Sequence, residues 1–223
     1  MSNLSVFDSI GPIMVGPSSS HTAGAVRIGK LAKKIVGRKI KEVKIYLHGS
    51  FEKTYIGHGT DKALIAGLLG LSTDNELIKD SLRLASEENL NYEFLPINIS
   101  DAHPNTVRLK IKDIDDRETV ITASSIGGGN IVVTEVDGIK VDLTGKYFTL
   151  ISIHNDKPGM IAKITNILQI FDVNIAVMKL ARQNKGASAT AIIELDQELS
   201  ENAIDLIRDI PEIESVRIVN PIR

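Results

Sequence analysis

The sequence predicts an α+β protein of two parts, and three observations lead to this prediction. An apolar stripe with helical period begins at Val26, whereas segments from Tyr92 to Leu143 alternate like half-buried strands. After Gly145 the predicted elements follow the order strand, helix, strand, strand, helix, strand. This βαββαβ order within about 80 residues is typical of a split βαβ sandwich, with helices on one face of an antiparallel sheet. We therefore expect one domain over residues 1–145 and a second over 148–223.

The first part is predicted to mix helices and strands. Apolar residues at helical spacing predict a helix over about 22–36, with Ser20 or Thr22 as its N-cap. A capped helix follows over 60–69, and a weaker one covers about 75–89. Six segments of strand character complete this part, the last two joined by an Asp-Gly turn: 43–47, 92–99, 106–111, 118–123, 130–136 and 139–143.

The second part has sharper patterns. Apolar side chains at i, i+4, i+7 and i+8 predict a helix over 160–171, after a Pro-Gly turn. A shorter helix is expected over 200–208. Four strands complete the βαββαβ order: 148–153, 174–180, 188–195 and 214–219.

The composition excludes several classes of function. The 223 residues carry 26 basic and 28 acidic side chains, so the net charge of −2 gives no excess of positive charge for binding nucleic acid. No apolar run is long enough to cross a bilayer and the N-terminus does not resemble a secretion signal, so we expect no membrane contact and a cytoplasmic location. The chain has no cysteine. It therefore provides neither a thiolate nucleophile nor cysteine ligands for a cluster.

Residues 16–24 form the least generic stretch, Gly-Pro-Ser-Ser-Ser-His-Thr-Ala-Gly. Three hydroxyls and the imidazole of His21 precede a helix, where backbone N–H groups have no helical partner and favour a small anion such as a carboxylate. The Gly-x-Ser-x-Gly pattern of hydrolases is missing. A phosphate loop over 24–31 fails because Leu31 replaces the required Ser or Thr. A polar N-cap loop without further function remains the alternative.

Three more polar loops occur in the first part. Residues 57–62 place His58 before a helix, 101–106 place His103 before Pro104, and 124–130 contain three consecutive glycines. Each one alone is also compatible with a structural turn or bulge. Four such loops in one domain, three of them with a histidine, indicate the lining of a site.

In the second part, His154 and Asp156 precede a helix, and Asn174 opens the next strand. Helix N-terminal donors together with these side chains predict a site for the charged groups of an amino acid. The alternative is a module that pairs chains and binds nothing.

The segment from Gly11 to Gly29 resembles the N-terminal signature of the β subunit of iron–sulfur L-serine dehydratase, and the loops around His58, His103 and the glycine triplet also resemble that family. The C-terminal part resembles an ACT domain, so the expected architecture is a mixed α/β serine dehydratase beta domain, similar to allosteric substrate-binding domains, followed by a ferredoxin-like ACT domain. The resemblance implies deamination of L-serine to pyruvate and ammonia. It also implies a 4Fe-4S cluster held by cysteines of a partner α subunit, with no metal ligand in this chain, so the chain is not active alone.

The resemblance also implies roles for particular residues. His21, His58 and His103 are the candidates for proton transfer, and which of them is the base stays open. The residues expected to bind substrate are Ser18, Ser19, Ser20, Thr22, Asn105 and Thr106.

The ACT domain implies self-association and an effector site at His154, Asp156 and Asn174. Serine sites of the phosphoglycerate dehydrogenase type usually carry Asn where this chain has Asp156, so its extra charge could favour an ammonium group or a cation. Two alternatives remain: a non-catalytic amino-acid sensor that regulates a partner, and a scaffold in which the loops have no chemical role.

Overall fold

The computed structural model describes residues 13–182 and 184–222. They form two compact units, one ending at Thr144 and one that spans Gly145–Pro221. Both units combine helices with a β-sheet, so the predicted α+β class is confirmed. No helix in the described part of the chain is long and apolar enough to cross a membrane.

The first unit is built on a six-stranded sheet of order β2-β1-β3-β4-β5-β6. The β1–β2 pair is parallel and the other pairs are antiparallel. A short π-helical turn over Ser19–Ala23 leads directly into α1. The elements are α1 (Gly24–Val36), β1 (Ile40–Gly49), α2 (Ser50–Thr54), α3 (Thr60–Leu69), a 3-10 turn (Glu76–Asp80), α4 (Ser81–Glu87), β2 (Asn91–Pro96), β3 (Asn105–Asp113), β4 (Glu118–Gly127), β5 (Asn130–Val136) and β6 (Ile139–Leu143).

Helices α1 and α3 lie parallel, so that both begin at the same end of the unit. Thr22, just before α1, contacts His58, just before α3. At the other end, the Lys33 ammonium donates to the Leu69 carbonyl. The contacts therefore follow the same order along both helices, and the positive ends of both helix dipoles point the same way.

Two glycines permit this parallel packing. A Cβ on Gly67 would lie 2.1 Å from the Val26 carbonyl oxygen, and a Cβ on Gly29 would lie 2.4 Å from the Leu64 carbonyl oxygen. Both contacts are with backbone, which cannot rotate aside. Any larger residue at this crossing would push the helices apart.

The second unit is a four-stranded antiparallel sheet of order β10-β7-β9-β8. Residues of both helices and of the sheet share one apolar core, for example Ile164, Ile207 and Leu150, so both helices cover the same face. This is the predicted ferredoxin-like arrangement. The elements are β7 (Phe148–Asn155), α5 (Met160–Ile170), β8 (Ile175–Arg182), β9 (Ser188–Leu195), α6 (Glu201–Arg208) and β10 (Ile213–Val219).

Three local predictions differ from the structure in their details. The segment expected as a helix over 75–89 is helical over 76–87, but its first part, Glu76–Asp80, is a 3-10 turn capped by Asn75, and only Ser81–Glu87 is α-helical. The strand expected over 92–99 ends at Pro96. The side chain that caps the helical run is Ser18 and not Ser20 or Thr22, because the run begins with the π-helical turn, and α1 itself has no side-chain cap.

Candidate functional site

The Ser18–Ala23 turn forms the base of the candidate site. Ser18 has an extended backbone, and its Oγ accepts from the His21 backbone N–H at 3.1 Å. Its carbonyl accepts from the Thr22 N–H at 2.8 Å. Ser19 and Ser20 lie half-buried in the π-helical turn. The turn therefore gathers the predicted hydroxyls and the imidazole at the start of one continuous helical run.

The imidazole of His21 is held by contacts on several sides. Its Nε2 lies 3.1 Å from the Ser50 Oγ, and its Nδ1 lies 3.4 Å from the Ser18 Oγ. The ring packs edge-on against Phe51, with centroids 5.4 Å apart. These contacts fix the orientation of the ring. Either tautomer of the ring fits these contacts, because each of the two hydroxyls can donate or accept a hydrogen bond.

His58 brings a second imidazole to the same place. The rings of His21 and His58 make an edge contact with centroids 4.6 Å apart. The His58 carbonyl accepts from the Thr22 Oγ1 at 3.4 Å, which links the two turns. His58 itself is exposed, and Gly59 in the left-handed conformation ends its turn before α3 begins. The structure therefore brings together two of the three predicted catalytic histidines.

The surroundings of His21 disfavour its protonated form. Burial lowers the pKa of His21 below the ordinary value, and the positive charge that His58 can acquire lowers the pKa further. His21 is therefore neutral at physiological pH, which is the state a general base requires.

The His103 loop reaches His21 only through an intermediate residue. The Pro104 carbonyl accepts from the backbone N–H of Ser50 at 2.7 Å, and Ser50 is the hydroxyl that contacts His21. Gly49 allows this approach, because a Cβ there would lie 2.6 Å from the Pro104 oxygen. The His103 ring is exposed, and its Nδ1 accepts from the Asn105 N–H at 3.1 Å. Its ring is not among those packed on His21 in the described part of the chain.

The two other residues predicted in that loop have structural contacts. Asn105 is the first residue of β3, and its backbone N–H donates to the His103 Nδ1. Thr106 is fully buried, and its Oγ1 donates to the His103 carbonyl at 2.6 Å and lies 2.7 Å from the Ser124 Oγ. A direct role for Thr106 in substrate binding does not fit this burial, so Thr106 positions the loop.

The glycine-rich loop closes the other side of the Ser18–Ala23 turn. A Cβ on Gly24 would lie 2.1 Å from the Ser125 Oγ, so the start of α1 packs directly on the end of β4. One helical turn later, the Arg27 Nη1 donates to the Gly129 carbonyl at 2.9 Å. The other three polar loops predicted from sequence thus contact the Ser18–Ala23 turn, α1, or the Ser50 that binds His21.

Sequence reasoning missed Ser50, Phe51 and Arg27. Ser50 and Phe51 belong to the short helix α2, which the sequence pattern does not predict. The available signal was the pair Gly49-Ser50 at the end of β1, where a glycine, which readily adopts positive φ, precedes a hydroxyl. Arg27 lies in the family signature, but its contact with Gly129 spans 102 residues and is visible only in three dimensions.

In the second unit, His154 and Asp156 lie near each other at one end of the sheet. His154 is buried, burial lowers its pKa, and Asp156 and Glu214 oppose that shift. Asp156 accepts from the Gly186 N–H at 3.0 Å and from the Arg182 Nη1 at 2.7 Å, which lowers the pKa of its carboxyl. The Asp156 carboxylate thus has Arg182 as a partner within the chain, and its preference for an ammonium group or a cation stays a prediction.

Asn174 does not join these residues within one chain. In the register of the sheet, His154 pairs with Ala189, whereas Ile175 pairs with Leu195. Six residues along β9 separate the two levels, which corresponds to about 20 Å. The Asn174 side chain instead donates to Asp196 at 2.7 Å. The predicted convergence of the three effector residues is wrong for a single chain, because Asn174 precedes β8 at the opposite end of the sheet.

Residues 5–136 match the family model described as "Serine dehydratase beta chain". The chain is 42% identical over 209 residues to the "Probable L-serine dehydratase, beta chain" of Bacillus subtilis, covering 94% of each. It is 36% identical to the "L-serine dehydratase, beta chain" of Peptoniphilus asaccharolyticus, covering 98% of this chain and 99% of that one. It is also 32% identical to an "L-serine dehydratase" of Helicobacter pylori over 57% of this chain but only 32% of that protein. With these matches and the site geometry, the chain belongs to the family of L-serine dehydratase beta chains.

Proposed function

We propose that this chain is the β subunit of a cytoplasmic, two-subunit L-serine dehydratase and supplies half of its substrate site. The observation that carries the proposal is the contact of His21 with Ser18, Ser50 and His58, which draws three chain segments to one point. Relatives similar over nearly the whole chain are named L-serine dehydratase, beta chain. That name supports a partner α subunit, without which this chain is inactive.

The residues of this chain do not fit an iron–sulfur cluster. The sequence contains no cysteine, and within residues 13–182 and 184–222 no three His, Asp or Glu side chains are grouped as metal ligands. We therefore assign the proposed 4Fe-4S cluster to cysteines of the partner subunit. The matched Helicobacter pylori protein extends far beyond the similar segment, which supports a catalytic part outside this chain.

The reaction requires removal of two groups from serine. Loss of the Cα proton and of the β-hydroxyl, together one water, gives 2-aminoacrylate. This enamine tautomerises to the imine, and hydrolysis consumes one water and releases pyruvate and ammonia. Neutral His21 is suited to accept the Cα proton, and exposed His58 is suited to exchange that proton with solvent. His103 then has a positioning role, because its loop holds Ser50.

The start of α1 is suited to bind the serine carboxylate. The N-termini of α1 and α3 converge there, and both carry positive dipole ends. The hydroxyls of Ser18, Ser19 and Ser20 add donors in the same turn. Substrate bound at this turn would lie beside both imidazoles.

The second unit provides self-association and a response to amino acids in this proposal. Strand β8 is at the edge of its sheet and exposes Val177 and Leu180, 44% and 55% accessible. An exposed apolar edge favours pairing with another strand. Antiparallel pairing of two β8 strands would bring Asn174 of one copy toward Arg182 of the other, beside Asp156 and His154. The effector residues would then meet only between two chains.

The test uses the reconstituted two-subunit enzyme with His21→Ala, His58→Ala or His103→Ala in this chain. We expect His21→Ala to lower kcat by about 10²- to 10⁴-fold, as loss of a general base does. His103→Ala should act more weakly because its ring does not touch His21. Full activity in all three variants with intact clusters would contradict the proposal and favour a non-catalytic sensor.

A further inference from the structure

Arg27 has an unusual environment for an arginine. Its guanidinium is partly buried on α1, and its Nη1 donates to the Gly129 carbonyl at 2.9 Å. Its Nε is buried without an acceptor among the described residues. No acidic side chain in the described ranges forms an ion pair with it. Burial correspondingly lowers the pKa of Arg27.

The segment that Arg27 contacts is the tight turn between β4 and β5, across which Gly127 pairs with Asn130. Gly127, Gly128 and Gly129 all have positive φ, at 105°, 58° and 75°. Three consecutive residues without side chains have large conformational freedom in the absence of outside contacts. Besides the pairing of β4 with β5, the structure supplies two contacts from α1 that hold this turn in place: Gly24 packs against Ser125, and Arg27 binds Gly129.

Stability alone does not explain this arginine. Burying a guanidinium without a carboxylate partner is unfavourable, and an apolar side chain of similar length would fill the space at lower cost. Departures of this kind from the rules of stable packing concentrate at functional sites. Arg27 lies one helical turn after Gly24, which packs on the loop directly beside the Ser18–Ala23 turn.

We propose that Arg27 is a positioning residue of the serine site, which fixes the Ser125–Gly129 loop as a wall of that site by holding the Gly129 carbonyl. This inference rests on the proposed function. It assigns to the glycine triplet a role in binding the substrate and not in the chemical step. The wall restricts where serine lies on the turn that carries His21.

The experiment compares Arg27→Met, Arg27→Lys and wild type in the reconstituted enzyme. Amide hydrogen exchange of residues 126–130 reports the loop directly, and steady-state kinetics separates KM from kcat. In Arg27→Met we expect faster exchange in the loop, a KM for L-serine raised about tenfold, and kcat changed about twofold or less, as loss of ground-state positioning predicts. Arg27→Lys retains a donor and should recover part of both effects.

The matched control is Arg108→Met. Arg108 is also partly buried, and its Nε donates to the Thr122 Oγ1 at 3.1 Å within the sheet, away from the glycine triplet. This variant should leave loop exchange and KM unchanged. If Arg27→Met does not fold, Arg27→Lys against Arg108→Lys makes the same comparison.

The outcomes separate this inference from the proposed function. If the wild-type complex turns over serine but the Arg27 variants keep wild-type loop exchange and KM, the role of Arg27 is overturned and the proposed function stands. If the wild-type complex with an intact cluster does not turn over serine, the proposed function fails. Faster loop exchange in Arg27→Met with the expected rise in KM supports both.

Discussion

Replacing Gly67 by Ala tests whether the helix crossing places the two histidines. The added Cβ would lie 2.1 Å from the Val26 carbonyl oxygen, 2.8 Å from the Lys30 nitrogen and 2.9 Å from the Gly29 Cα. Ordinary contact begins near 3.4 Å, so α1 and α3 must separate by about 1 Å. All three obstacles are backbone atoms, which cannot rotate aside.

The magnitude follows from two opposing terms. Overpacking a core contact costs about 3 kcal/mol at the upper end of its usual range, which the rigid backbone contacts justify. Alanine recovers about 1 kcal/mol through its higher helix propensity. The net loss of about 2 kcal/mol should lower Tm by about 4–8 °C in a protein of this size. A displacement of about 1 Å between His21 and His58 should also lower kcat by about 10²-fold.

The assay is thermal unfolding followed by circular dichroism, together with turnover by the reconstituted enzyme. Gly57→Ala is the stability control, because a Cβ there would lie 3.8 Å from the Thr54 oxygen and has room. We expect its Tm to equal that of wild type. If Gly67→Ala melts and turns over serine like wild type, the close crossing does not set the geometry of the site.

Three further predictions follow from individual contacts. Ser50→Ala should lower kcat by about tenfold while His21→Ala lowers it further, because Ser50 only orients the ring; stopped-flow or steady-state pyruvate formation distinguishes them. NMR should show that the pKa of the His21 imidazole lies below its ordinary value of 6.5. The folded chain then binds fewer protons than the unfolded chain, so the stability contributed by neutral His21 is lost as the pH falls below 6.5. His58→Ala should raise the pKa of His21 toward its ordinary value. Thr106→Val should lower the free energy of unfolding, measured in urea, by about 1–3 kcal/mol, because it leaves the Ser124 hydroxyl buried without its partner. Adding Ser124→Ala to the same chain should restore part of that stability.

The sequence predicted the order of elements well where the periodicity was strong. The βαββαβ unit and the Asp137-Gly138 hairpin follow from local patterns, and both residues of that turn have positive φ. Over residues 75–89 the same reasoning predicted a helical segment, but not that Glu76–Asp80 forms a 3-10 turn before α4. Apolar periodicity identifies a helical face and does not distinguish a short 3-10 turn from the first turn of an α-helix.

The candidate site could be predicted in its components but not in its connections. The motif loops supplied His21 and His58, and the parallel packing that joins them depends on glycines at the α1–α3 crossing. Ser50 was missed because its role arises from a contact across 29 residues. The three effector residues do not meet within one chain for a related reason: sequence proximity to turns says nothing of which end of a sheet Asn174 occupies.

The most direct test of the half-site account is complementation. This chain, the cysteine-bearing partner with its cluster loaded anaerobically, and their mixture are each assayed for pyruvate formation from L-serine. The account predicts no turnover by either chain alone, turnover by the mixture, and loss of that turnover when this chain carries both His21→Ala and His58→Ala. Turnover by the partner alone, or an undiminished rate with the double variant at full complex formation, would contradict it.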